Sequence, residues 1–249
     1  MLFLKMLFLN MHAVKVSFVA IVIALCILLI HIWRPRGYMI MLYRVFPRRY
    51  YTLRDFPEMS SLTASFEVIR KECLAVMAAP VHNVPRSLSV WTNGDQQITN
   101  DYIARTQNLY GWQPIYDFNG TVNNSWINFP FMLRNAVKQN YYPENLKSCP
   151  HLAKLLMEKK DIIQVAGFSR IRAGKRIAQH VDNTGMKFNS AAYHLGLIVP
   201  DPLLCSMTVG GVKIYHREGQ ALIFEPTYLH HASNWSHSDR VILYIDFLI

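Results

Sequence analysis

The chain has 249 residues, 51% of them hydrophobic, and a formal net charge of +10. That is too apolar for a disordered chain and long enough for one sizeable domain plus an anchor. The four cysteines, Cys26, Cys73, Cys149 and Cys205, are widely spaced with no C-x-x-C, which argues against a disulfide framework and a structural zinc site. The positive charge implies an anionic neighbour, and without a basic cluster interleaved with aromatics a membrane surface is favoured over nucleic acid.

Residues 16–33 (VSFVAIVIALCILLIHIW) contain no Asp, Glu, Lys or Arg and just reach the length that crosses a bilayer as a helix. A cleaved signal peptide is the competing reading, but Arg34-Pro35-Arg36 stands where small cleavage-site residues belong. Lys5 and Lys15 precede the run; Arg34, Arg36, Arg44, Arg48 and Arg49 follow it. That bias predicts a single-pass membrane protein with the bulk of the chain, its main domain, on the cytoplasmic face. The organisation expected is an anchor over 1–36, a juxtamembrane segment with an amphipathic helix over 37–78, and the main domain over 79–249 with its core at 162–249.

Within 37–78, the steps Leu62, Phe66, Ile69, Cys73, Val76 describe a helix with one apolar face. From 79 to 145 the pattern is mixed. The N-x-[ST] matches at Asn119, Asn123 and Asn234 are read as chance, the last because a glycan there would crowd His230. A short helix follows Cys149. From Ile162 onward come short apolar strands: IIQVAGFSRI, SAAYHLGLIV, SMTVGGVKIYH, QALIF and RVILYIDF, separated by Gly and Pro turns. This spacing predicts a mainly β domain with flanking helices, an antiparallel jelly roll whose ligands point inward from facing strands.

Within that region, His180-Val181-Asp182 places an imidazole and a carboxylate at i and i+2, on one face of an extended segment. With a second histidine at His230 they make a facial triad, which leaves open positions as in non-haem Fe(II) oxygenases. Alone, H-x-D is a weak motif. Arg240, opening the last strand ten residues beyond His230, could pair bidentately with a carboxylate. His216, His231 and His237 read as solvated or hydrogen-bonded groups. His231 is the rival of His230 if strand alternation begins one residue later.

Taken in order, Phe168-Ser169-Arg170, His180-Val-Asp182, Tyr193-His194 through Pro200, Gly219 through Phe224, Thr227-Tyr-Leu-His230 and Asp239-Arg240 through Phe247 resemble the aspartyl/asparaginyl β-hydroxylase domain family. Arg44-Val, Asp55-Phe-Pro-Glu58, Leu62-Thr63, Ile69-Arg70, Glu72 and Cys149-Pro150 are similar to its membrane-anchored lipid A acyl-chain hydroxylase branch. The resemblance implies a double-stranded β-helix (jelly roll, cupin-like), with Fe(II), 2-oxoglutarate and O2 as cofactor and cosubstrates. It also implies that His180, Asp182 and His230 bind the metal. His194 would meet the C1 carboxylate end of 2-oxoglutarate, Arg240 its C5 carboxylate, and Ser169 would add a hydroxyl. The substrate expected is a lipid A-like membrane lipid; the alternatives are Asp or Asn side chains of a protein, or a non-catalytic membrane-anchored jelly roll. Two departures bear on substrate recognition: the His180–His194 interval is longer than the family's, with an insertion near 186–190, and Ala192 stands where the family has arginine.

Overall fold

In the computed structural model, residues 49–85, 96–114, 125–182 and 190–249 are described, and all belong to one compact unit, Arg48–Ile249. The strands β5 (Ile163–Ile171), β7 (Ser190–Ile198), β10 (Ala221–Phe224) and β12 (Arg240–Leu248) form the centre of an eight-stranded sheet. Its edges are β1 (Tyr50–Tyr51) on one side and β3 (Trp126–Arg134) with β2 (Gln113–Pro114) on the other; β4 (Gln139–Tyr141) pairs with β3. The order is β1-β10-β7-β12-β5-β3-β2. The facing sheet has four strands, β6 (Lys175–Arg176), β11 (His230–Asn234), β8 (Cys205–Val209) and β9 (Val212–Tyr215), in the order β6-β11-β8-β9. From β5 to β12 the chain passes repeatedly from one sheet to the other, every described pairing within the sheets being antiparallel. This is a jelly-roll order.

The two inner faces meet in one apolar cluster. Ile171, Ala192, Leu222 and Phe224 of the larger sheet pack on Met207, Val209 and Ala232 of the smaller one. The alternation Leu222, Phe224 and Met207, Val209 is what period-2 patterning requires of strands with one face inward. Nine-residue β3 does not advertise itself in this way. Its sequence WINFPFMLR carries Pro130 inside a strand, which the sheet accommodates at a register shift between Pro130 and Met132.

Helices cover the outer face of the large sheet. The amphipathic segment expected as one helix is two, α1 (Ser60–Ala64) and α2 (Phe66–Ala75), because Ser65 leaves helical backbone between them (φ −92°, ψ 16°). Leu62, Ile69 and Cys73 are fully buried, so the apolar face is continuous across the break. Thr63 shares a 2.8 Å hydrogen bond with the Tyr193 hydroxyl, and Arg70 Nε donates to the Leu197 carbonyl at 3.1 Å, docking the pair on β7. Glu72 accepts from the backbone N–H groups of His151 and Leu152, at 2.7 and 3.0 Å. These lie in the first turn of α5 (Pro150–Met157), where unpaired donors and the helix dipole favour a carboxylate. Between strands and helices lie α3 (Gln96–Thr106) and α4 (Pro143–Ser148).

The expected single-pass membrane location with a cytoplasmic catalytic domain is corrected here: no helix among the described residues is long and apolar enough to cross a membrane. The longest, α3, has 11 residues, about 16 Å at 1.5 Å per residue against a hydrocarbon core of about 30 Å. The run at 16–33 that motivated the expectation lies outside the described residues, as do Asn119 and Asn123.

Asn234 is fully buried and its amide is committed. Nδ2 donates to the carbonyls of Ile171, Arg172 and Ser238, and Oδ1 accepts from Ser236 N–H at 3.2 Å and Ser236 Oγ at 2.6 Å. It ties the end of β11 to the end of β5, which excludes a glycan in the folded state. Asn234→Ala should lower unfolding free energy by on the order of 3 kcal/mol, since several buried polar groups lose their partner together. The denaturation midpoint in urea measures it.

Candidate metal centre

His180, four residues past β6, and His230, at the start of β11, are paired through their backbones, which continues the β6–β11 pairing. His180 N donates to His230 O at 2.9 Å and His230 N to His180 O at 2.8 Å, an antiparallel bridge that puts both imidazoles on one face. Their ring centroids are 4.3 Å apart. Two residues past His180, the backbone is still extended enough to bring Asp182 back to that face, while Val181 turns outward and is exposed. The Asp182 N–H donates to the Pro226 carbonyl at 3.2 Å, which anchors the carboxylate to the loop before β11. Asp182 Oδ1 lies 3.6 Å from His180 Nε2 and Oδ2 lies 3.9 Å from His230 Nε2.

The donor chemistry fits a metal ion. His180 Nδ1 is 2.7 Å from the Ala178 carbonyl and His230 Nδ1 is 2.8 Å from the Tyr228 carbonyl. A carbonyl only accepts, so each Nδ1 carries the proton and each Nε2 presents a lone pair. That is the tautomer a metal-binding histidine needs, fixed by the same kind of outer hydrogen bond. One ligand atom from each of His180, Asp182 and His230 lies within 4.8 Å of the others. His231 is one residue out of phase: β11 pairs His230 with Val209 and His231 with Thr208, and His231 is not in the cavity lining.

The three ligands border a cavity of about 500 Å³, including its open mouth, between the sheets. From β12 it is lined by Arg240, Ile242 and Tyr244, the inward set of an alternating strand, and from neighbouring strands by Ser169 and His194. Arg240 is 1% exposed. Its Nε and Nη1 have no hydrogen-bond partner, and burial pulls its pKa down from 12.5 to about 10. It stays cationic at neutral pH. A buried guanidinium with two unpartnered nitrogens is costly to the fold, and it faces the cavity. Ser169 Oγ accepts from Trp126 Nε1 at 2.9 Å, which leaves its own proton for the cavity.

His194 is buried and its Nδ1 lies 3.2 Å from His216 Nε2, the rings stacked at 5.5 Å between centroids. Burial holds both imidazoles well below the usual value, reinforced for His194 by His216, Arg240 and His230 and for His216 by Arg240. Both are neutral in the folded state. The unfolded chain takes up protons as pH falls through about 6.5 while the native pair does not, so stability present above that pH is lost below it. At full effect the slope is about 1.4 kcal/mol per pH unit for each histidine. Urea midpoints at pH 7 and pH 5 should show it, and His216→Phe should remove about half of this pair's part.

All six expected site residues (Ser169, His180, Asp182, His194, His230 and Arg240) meet in this cavity. Ala192 packs in the core cluster beside Phe224, and the insertion near 186–190 lies outside the described residues except for Ser190. The sequence reading missed Trp126, Tyr244 and His216. Tyr244 was findable by counting alternate residues from Arg240. Trp126 and His216 carried no signal in one dimension.

The site is a jelly roll with two histidines and a carboxylate at its mouth, which could hold a metal ion, and a buried cation inside. The family model for Aspartyl/Asparaginyl beta-hydroxylase matches residues 63–248, and the chain belongs to that hydroxylase family. It is 34% identical over 131 residues to an ornithine lipid ester-linked acyl 2-hydroxylase of Rhizobium tropici, covering 51% of this chain and 43% of that one. It is 26% identical over 144 residues to aspartate beta-hydroxylase domain-containing protein 2 of Rattus norvegicus, covering 55% and 38%. The matched stretches thus span less than half of either relative. Among solved structures it is similar to an oxidoreductase of the 2OG-Fe(II) oxygenase family from Burkholderia pseudomallei, with a TM-score of 0.44, 14% identity, and coverage of 59% of this chain and 78% of that one.

Proposed function

We propose that this hydroxylase-family chain uses Fe(II), 2-oxoglutarate and O2 to hydroxylate an unactivated C–H bond, with an acyl chain of a lipid such as lipid A as substrate. The observation that carries the reading is the pairing of a facial His180, Asp182, His230 set with the unpartnered Arg240 guanidinium in one cavity. A metal alone needs no buried cation; a metal with a chelating dicarboxylate does. The lipid substrate is favoured by the similarity to an acyl 2-hydroxylase. Hydroxylation of Asp or Asn side chains is the second reading, favoured by the weaker match to an aspartate beta-hydroxylase domain protein.

His180, Asp182 and His230 would hold the iron. Bound there, Fe(II) supplies O2 activation: one substrate C–H, one O2 and one 2-oxoglutarate become an alcohol, succinate and CO2. The protein's own contribution is binding, orientation and a dry interior. Arg240 pairs with the far carboxylate of 2-oxoglutarate in an environment where a bidentate ion pair is strong. Ser169 donates its free proton to the same anion. His194, kept neutral by burial and by the Arg240 charge, is a hydrogen-bond donor to the other end. Phe224, Ile242, Met207 and Ala232 exclude water around them.

The test is mass spectrometry of lipid extracts and of peptides incubated with the protein, Fe(II), 2-oxoglutarate and O2, beside succinate release. A gain of one oxygen on an acyl chain is the expected result. The same gain on peptides alone would favour the second reading, and no succinate release would sink both.

A further inference from the structure

His216 has no place in the chemistry above, yet it is 2% exposed and reaches that cavity's wall through a single contact, Nε2 to His194 Nδ1 at 3.2 Å. We propose that His216 is a positioning residue: its Nε2–H donates to His194 Nδ1 and locks His194 in the tautomer whose Nε2–H serves the cavity. The proposal rests on the reading of the cavity as a 2-oxoglutarate site.

The direction of the hydrogen bond follows from the atoms left over. His216 Nδ1 is buried and has no partner. If His194 Nδ1–H donated to His216 Nε2, the neutral His216 ring would carry its own proton on Nδ1, leaving a buried N–H with nothing to accept it. In the opposite direction Nδ1 is a bare lone pair. Orphaned buried donors are rarer in proteins than under-satisfied acceptors. Protonation of both His216 nitrogens is opposed by burial and by the Arg240 charge. The backbone that carries the ring is held independently of His194, since His216 N donates to the Cys205 carbonyl at 2.9 Å and so fastens the end of β9 to the start of β8.

A neutral imidazole has one donor and one acceptor. With Nδ1 occupied as acceptor, His194 must present Nε2–H, and a carboxylate can only accept. Without His216 the proton is free to move to Nδ1. Nε2 would then aim a lone pair at the carboxylate, turning an attraction into a repulsion.

Two measurements test this. Nitrogen-15 NMR of the metal-free protein, with signals assigned through His194 and His216 variants, should show His194 protonated at Nε2. His216→Gln, which keeps a donor near the Nε2 position, should preserve that tautomer, and His216→Phe should mix it. Calorimetric titration of the Zn(II)-loaded protein with 2-oxoglutarate should then show about tenfold weaker binding for His216→Phe and less than threefold for His216→Gln. His194 protonated at Nδ1 in the unaltered protein overturns the proposal, even if His216→Phe fails to fold. Equal 2-oxoglutarate affinity in the unaltered, Phe and Gln proteins also overturns it. If the unaltered protein binds no 2-oxoglutarate although His194 carries its proton on Nε2, the cosubstrate reading has failed and the tautomer assignment stands.

Discussion

Arg240→Leu is expected to abolish 2-oxoglutarate binding while leaving the metal-free protein as stable as before or more so. The two halves of this result have one cause. In the protein without cosubstrate, the guanidinium is fully buried with Nε and Nη1 unpartnered, and such a charge is a liability that a leucine of similar volume removes. With a dicarboxylate bound, the same charge becomes half of a buried ion pair. Breaking one by removing a partner costs about 3–5 kcal/mol, a hundredfold or more in affinity at about 1.4 kcal/mol per decade. Thermal unfolding of the metal-free variant and titration with 2-oxoglutarate measure the two separately. A variant that melts far below the unaltered protein would mean Arg240 serves the fold, and the anion site would lose its main support. This is the usual trade between stability and function at a preorganised site.

His180→Ala should bind metal at least a hundredfold more weakly, because it removes a direct ligand where loss of an outer partner alone typically costs about 10–100-fold. The fold should survive. The bridge to His230 is made by backbone atoms, which alanine keeps, and the side chain's hydrogen bond to the Ala178 carbonyl is local to its own strand segment. The expected penalty is below about 2 kcal/mol. Metal content after dialysis against Fe(II) or Co(II), with circular dichroism as control, checks both. Metal retained at one equivalent by the variant would remove His180 from the ligand set and the H-x-D motif from the argument.

How much of this could be read from one dimension depended on local pattern. The C-terminal strands were legible as short apolar runs, most of them bounded by Gly or Pro turns, with β7 and β12 buried almost along their whole length. β3 was not, because Pro130 and its run of aromatics on both faces disguise the period. β11 is expected only as the strand that carries His230, without bounds of its own. HHASN has no strand signature of its own, and its extended form is imposed by pairing with β8 and β6. The helical face from Leu62 to Cys73 was correctly apolar, but the break at Ser65 is a backbone feature no periodicity announces. The membrane location, inferred from a run outside the described residues, has no counterpart among the helices described.

The sequence by itself determined the chemistry available: a His and an Asp at i and i+2, a later His, and an Arg at the head of the last strand. These follow from residue identity and the period of an extended chain. Tertiary structure alone decided that they share a cavity and that His230 faces it instead of His231. It also decided that the Nδ1 protons point to backbone carbonyls and that His216 backs His194. Each depends on which strand lies beside which and in what register, and register is set by the burial of whole faces. No short stretch of sequence contains that information.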